Sequence, residues 1–207
     1  GNRNRARPLI VGRDGLIRAF LSPSARASQR NFESPVVRDR MATGTVTRFE
    51  ASLDRLDVDW THATADEFEA VLTDVATEPA VGTPLPFDVA LPDWVNTTPT
   101  PTDLDEATTG VTGAALGIAS YGSVVLPSTA AGGEPVSLFP DLHVAVVRTR
   151  DVVPGMPEAF EWFGPEFREG DHSSAIIATG PSATADMGEL VTGAHGPKAV
   201  HVVMLDE

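Results

Sequence analysis

The chain has 207 residues, 42% of them apolar, which suffices for one domain with a buried core. Its formal net charge is −14 and it contains no cysteine, so disulfides, thiolate metal sites and cysteine-ligated clusters on this chain are excluded. No apolar run approaches the roughly 18 uninterrupted residues of a membrane helix. The stretch "PLIVGRDGLIRAF" is broken by charges where a secretory signal needs continuous apolar residues. A cytoplasmic location is expected.

The charge is unevenly divided. Residues 1–40 hold nine arginines against Asp14, Glu33 and Asp39, about +6, whereas residues 41–207 hold six basic side chains against 26 acidic ones, about −20. Lys198 is the only lysine. A body this acidic repels itself in dilute buffer, and salt near 1 M, with a Debye length of ~3 Å, relieves the repulsion. Salt adaptation is therefore expected, the alternative being an acidic face for a basic partner. The body is not expected to bind nucleic acid, because phosphate neutralisation needs Lys and Arg. Residues 1–40 are rich in Arg, Ser and Pro, have no sustained period, and read as a disordered or peripheral extension. Met41 is the expected natural start, with a basic arm for nucleic acid or a partner as the alternative reading, and residues 41–207 form the expected domain.

Along that domain, Val46, Phe49, Leu53 and Leu56 fall at helical spacing and predict a helix from near Thr45. "DVDWTH" reads as a short strand. Thr64 and Glu67 have capping-box spacing ahead of an apolar face of Phe68, Val71, Leu72 and Val75. The proline-rich stretch 79–103 reads as loop, with "VALPDWV" as an edge segment. "AALGIA" and "SVVLPS" flank Ser120–Gly122 and predict a hairpin. "LHVAVVRT" has the continuous apolar character of a buried central strand. A helix "PEAFEWF", a buried strand "SAIIAT", a helix Thr184–Val191 and a last strand "AVHVVML" follow. This alternation predicts a layered α/β sheet with right-handed crossovers.

The densest chemistry is "GPSATADMGELVTGAHGP", residues 180–197. With a strand before it and a helix over 184–191, Gly180–Asp186 would lie where free N–H groups cradle anions, and Ser182 and Thr184 would add hydroxyls. Asp186 opposes an anion there, and simple capping by Ser182 or Thr184 with nothing bound is an open alternative. His195, between small residues and before Pro197, is the chain's best general acid–base candidate, although such a turn histidine also serves as a structural hydrogen-bonder. A serine-hydrolase reading through Ser182 and His195 lacks the Gly-x-Ser-x-Gly elbow. A phosphate loop of Walker type lacks its lysine, and no zinc-motif spacing is present. His143 and His201 read as satisfied sheet histidines, His62 and His172 as exposed.

Three ordered segments resemble the LUD domain, the family of lactate utilization protein C: "GVTGAALGIASYGSVVL", "SLFPDLHVAVVRTRDVVP" and "GPSATADMGELVTGAHGP". The resemblance covers roughly residues 110–205 strongly and 41–109 in outline. It implies a three-layer α/β/α sandwich akin to the ribose-5-phosphate isomerase and CoA-transferase-like superfamily. It also implies an accessory or substrate-handling part in oxidising L-lactate to pyruvate. Iron–sulfur clusters are then expected only in partner proteins, since this chain has no cysteine to hold one. A non-catalytic assembly protein and an independent isomerase or transferase are the alternatives. The expected carboxylate pocket combines Gly180, Ser182, Thr184 and Asp186 with His195 as proton acceptor and the turn Tyr121, Gly122 and Ser123. Two departures matter: Ser120–Ser123 stands where the family has an acidic residue and Thr-Gly-Thr, and Ala183 stands where an arginine is common.

Overall fold

A computed structural model describes residues 35–169, 174–186, 189–193 and 195–206. The chain divides into two units, Gly1–Glu33 and Ser34–Glu207. Residues 1–34 of the expected extension, and His172, lie outside the described residues.

Helix α1 spans Pro35–Arg55, beginning well before the position near Thr45 that the apolar spacing indicated. Its core-facing residues are nevertheless those the spacing picks out: Phe49 and Leu53 are fully buried, and Val46 and Leu56 pack beside them. Asp57, in the left-handed region at φ 56°, turns the chain, and Val58 N–H donates to Leu53 O. Strand β1 (Asp59–Thr64) follows, then α2 (Phe68–Val75), which buries Phe68 and Leu72. Ahead of α2, the Glu67 carboxylate accepts from Thr64 N–H and from the Thr64 hydroxyl at 3.1 and 2.8 Å. Only the backward half of a capping box forms, because the Thr64 hydroxyl is turned to Glu67.

The proline-rich stretch is more ordered than its composition suggests. It holds β2 (Ala80–Gly82), β3 (Val95–Asn96) and α3 (Pro101–Glu106), the last started by a full capping box between Thr100 and Asp103 with proline in the first turn. Strand β4 (Thr109–Gly113) leads into the expected hairpin of β5 (Leu116–Ile118) and β6 (Ser123–Pro127). Its turn requires Gly122, at φ +66° and with a would-be Cβ 3.0 Å from the Ser52 backbone. Then come α4 (Gly133–Leu138), β7 (Leu142–Arg148), a 3-10 turn at Thr149–Asp151, β8 (Val152–Val153) and α5 (Met156–Glu169). The chain finishes with β9 (Ala175–Thr179), β10 (Ala183–Asp186), β11 (Glu189–Thr192) and β12 (Ala199–Asp206).

Six strands pair in the order β1-β12-β7-β4-β2-β3, and every pairing is parallel. Alternation sorts their side chains. Val144, Val146, Val203 and Leu205 face α2, while Ala145, Val147, Val202 and Met204 face α1 and the second sheet. That second sheet, β8-β5-β6-β9, turns its other face to Ala159 and Phe163 of α5. The molecule is thus a mixed α/β fold with helices on both faces of a parallel sheet, the class expected, plus a small sheet beside α1.

Two expectations are corrected. "SAIIAT" is not a buried strand: β9 is the edge of the second sheet, and Ile177 is 39% exposed. Thr184–Val191 is not a helix but the antiparallel hairpin β10–β11, pairing Thr184 with Val191 and Asp186 with Glu189. Ser, Thr and Asp serve turns as well as helix caps, Gly188 weakens a helix interior, and the β-branched Thr184, Val191 and Thr192 suit strands.

Candidate functional site

Two clefts open between the parallel sheet and the elements covering its α1 face. The smaller, about 190 Å³, is lined by Gly180–Ser182, His195–Pro197, His143, β9 residues and the end of α4. Three expected site residues, Gly180, Ser182 and His195, therefore meet in one place. The backbone draws them together: Ser182 N–H donates to Pro197 O at 2.9 Å, and Gly193 N–H donates to Ser182 O at 2.8 Å. His195 is exposed there.

Other expected members stand apart from that lining. Thr184 and Asp186 are carried away on β10. Tyr121 is exposed at the hairpin turn, and Gly122 is packed against Ser52. Ser123 is buried, its hydroxyl 2.7 Å from that of Thr179, one strand away from the cleft. The N–H cradle of a helix start is absent from residues 182–186, because they form a strand and the Ser182 amide already has a carbonyl partner. The reason is topological as well: β9 belongs to the second sheet, so Gly180 does not follow a strand of the parallel sheet.

His143 forms the inner wall. It is 2% exposed and shares a 2.8 Å hydrogen bond between Nε2 and Thr112 Oγ1. Burial pushes its pKa down to about 4, so the ring stays neutral near neutral pH. His201 likewise pairs with Thr61 at 3.0 Å, and burial lowers its pKa against the opposing pull of Asp59. Both are satisfied sheet histidines, as expected.

His62 is different from its expected exposed state. Its ring lies between Glu50 of α1 and Asp206 of β12, 3.0 Å from Glu50 Oε1 and 3.1 Å from Asp206 Oδ2. Burial alone lowers its pKa, but the hydrogen bonds and charges of Asp206 and Glu50 together outweigh that and raise it. With both ring nitrogens facing carboxylates, only the imidazolium satisfies both. The folded pKa lies above the unfolded value of about 6.5, so this stabilisation is complete below pH ~6.5 and is lost as pH rises through the folded pKa. His62→Gln is expected to lower the urea midpoint more at mildly acidic than at alkaline pH. A pH-independent difference in midpoint contradicts the assignment.

The larger cleft, about 330 Å³, lies at the carboxyl ends of three adjacent parallel strands: Thr83 follows β2, Thr112 and Gly113 end β4, and Arg148 ends β7. This is where open α/β sheets gather ligands. Phe87, Leu116 and Trp162 supply apolar walls. Arg148 Nε donates to Asp151 Oδ2, and its Cζ lies 5.3 Å from the Phe87 ring centroid. The readable signal for this site was slight: a lone arginine closing the apolar run of β7. Among the described residues no group of three or more His, Asp or Glu is placed to hold a metal ion.

A family model described as the LUD domain matches residues 95–205, more than half of the chain. The chain belongs to the LUD domain family. Lactate utilization protein C of Bacillus licheniformis is 38% identical over 106 residues, covering 49% of this chain and 44% of that protein. Its namesake in Deinococcus radiodurans is 36% identical over 106 residues, covering 50% of this chain and 49% of that protein. The LUD chain thus spans about half the length of these curated relatives. A crystal structure of a DUF162 family protein from Deinococcus radiodurans superposes with a TM-score of 0.57 at 23% identity, over 79% of this chain and 98% of that one, which supports the fold. No helix among the described residues is long and apolar enough to cross a membrane.

Proposed function

We propose that this LUD-domain chain is a substrate-handling subunit of a lactate-utilization system, acting where L-lactate is oxidised to pyruvate. What supports the reading most is that relatives named lactate utilization protein C match about half of this chain, and that the LUD match itself takes in the whole of residues 180–197. Gly180, Ser182 and His195 share a cleft in which a small carboxylate fits, and His195 is the group that takes the proton of the lactate hydroxyl. The oxidation also releases two electrons and a second proton. This chain has no cysteine to ligate an iron–sulfur cluster, so clusters accepting those electrons would be held by partner subunits. The exposed Phe160 and Phe167 of α5, with Ile177 of β9, favour a role as a subunit, since apolar patches of this kind mark interaction surfaces.

A second reading, a non-catalytic assembly protein of the same system, is favoured by one observation. The Ser182 and Gly193 amides are already used by backbone carbonyls, and Ala183 brings no guanidinium. An NMR titration with L-lactate and pyruvate separates the two. Substrate handling predicts saturable shifts of the Gly180, Ser182, His195 and Gly196 amides, and His195→Ala lowering lactate turnover by the assembled system about a hundredfold. Fixed amide signals together with unchanged turnover give the place to the assembly reading.

A further inference from the structure

We propose that the cleft at the carboxyl ends of β2, β4 and β7 is a second binding site, for a small organic monoanion with a flat apolar body, an aromatic carboxylate being the simplest case. The anion half rests on Arg148. Its side chain is 29% exposed, and Asp151 engages it only at Nε. Among the described residues no hydrogen bond is made by its two terminal nitrogens, which leaves the fork geometry that grips a carboxylate. Asp151 and the Phe87 ring hold the guanidinium in place, so little side-chain entropy remains to be lost on binding. Arg148 is one of only six basic residues in the 41–207 body, and among the described residues it is the basic side chain lining this strand-end cleft.

The hydroxyl of Thr83 supplies the second polar contact. Thr83 lines the cleft, and its hydroxyl makes no hydrogen bond to another described residue that a ligand would have to displace. Among the described residues no buried side-chain oxygen lacks a partner, so this hydroxyl is open to the cleft, where it can donate to a ligand oxygen. Flatness and apolarity follow from the walls, which Phe87, Trp162 and Leu116 line with aromatic and aliphatic side chains. At about 330 Å³ the space falls within the usual range for small-molecule sites.

This site also touches the smaller cleft. Thr112 lines the strand-end cleft and His143 lines the other, and they share the 2.8 Å hydrogen bond across β4 and β7. A ligand that engages the Thr112 hydroxyl changes what His143 Nε2 is bonded to. The site does not depend on the lactate reading, and the two are read from different residues.

The test follows the Trp162 indole N–H resonance of the full chain during titration with benzoate, acetate or benzyl alcohol. Benzoate is expected to shift it saturably and to move the His143 ring signals with it, while acetate and benzyl alcohol bind at least tenfold more weakly. Arg148→Gln is expected to weaken benzoate roughly ten- to hundredfold. Arg148→Lys, which keeps the charge and guards against misfolding of the first variant, is expected to weaken it by about tenfold through loss of the fork. No Trp162 shift with benzoate, equal binding of benzyl alcohol or acetate, or undiminished affinity in both folded variants would each overturn the site. Lactate-induced shifts confined to residues 180–197 bear on the lactate reading alone.

Discussion

Gly110→Ala is expected to destabilise the protein by about 3 kcal/mol or more, measured as a lowered urea midpoint with an unchanged slope. Gly110 is inside β4, paired with Val81 on one side and His143 on the other. Helix α4 lies directly over it: an added Cβ would meet Val136 O at 2.0 Å and Pro140 Cγ at 3.0 Å. A backbone carbonyl cannot swing aside as a side-chain end can. The methyl group must therefore lift α4, whose Ser137 lines the smaller cleft, or bend β4, whose Thr112 is bonded to the cleft residue His143 of β7. Gly44→Ala is the matched control, since its Cβ meets nothing within 4 Å in the middle of α1. There alanine is expected to stabilise by up to about 1 kcal/mol through helix propensity. A tolerated Gly110→Ala would show that α4 does not pack as closely as described.

Phe49→Ala is expected to cost about 3–5 kcal/mol, the range for truncating a fully buried aromatic side chain. Phe49 is 0% exposed, and its ring fills the space left by Gly117 of β5, where an added Cβ would lie 3.1 Å from Phe49 Cζ. The same helix is fastened to the hairpin by the buried Ser52 hydroxyl, 2.6 Å from Ala119 O. Loss of the ring therefore loosens α1 from both sheets together. Amide exchange should accelerate most in β5 and β6, with α2 less affected because its Phe68 and Leu72 pack on the opposite face of the parallel sheet. Uniform acceleration across both faces would contradict this partition.

How far the chain could be read in advance depends on how many structures satisfy a given pattern. The apolar runs of β7 and β12 are buried on both faces, so both were legible as strands, and β7 as a central one. The α1 residues Phe49 and Leu53 were legible because a 3.6-residue period admits one face. The extent of α1 was not, since the turns before Thr45 carry no apolar stripe. Residues 180–197 were legible as a family signature and as a meeting point of Ser182 and His195, but not in their local form. A loop of Ser, Thr, Asp and Gly fits a helix cap and a hairpin about equally well, and distant contacts choose between them. Here the bonds from Ser182 to Pro197 and Gly193 close the base of the hairpin.

The sequence by itself determined that no thiolate chemistry occurs on this chain, that the fold is α/β, and that the chain carries the LUD motifs, because composition and period depend on no other part of the molecule. The tertiary structure alone decided which motif residues share a cleft. It carried Thr184 and Asp186 away on β10, enclosed His143 beside Ser182 and His195, and set His62 between two carboxylates. It also assembled Thr83, Thr112, Arg148 and Trp162 into one strand-end cleft. Parallel pairing brings together the ends of strands that lie far apart in the chain, and no local pattern encodes that neighbourhood.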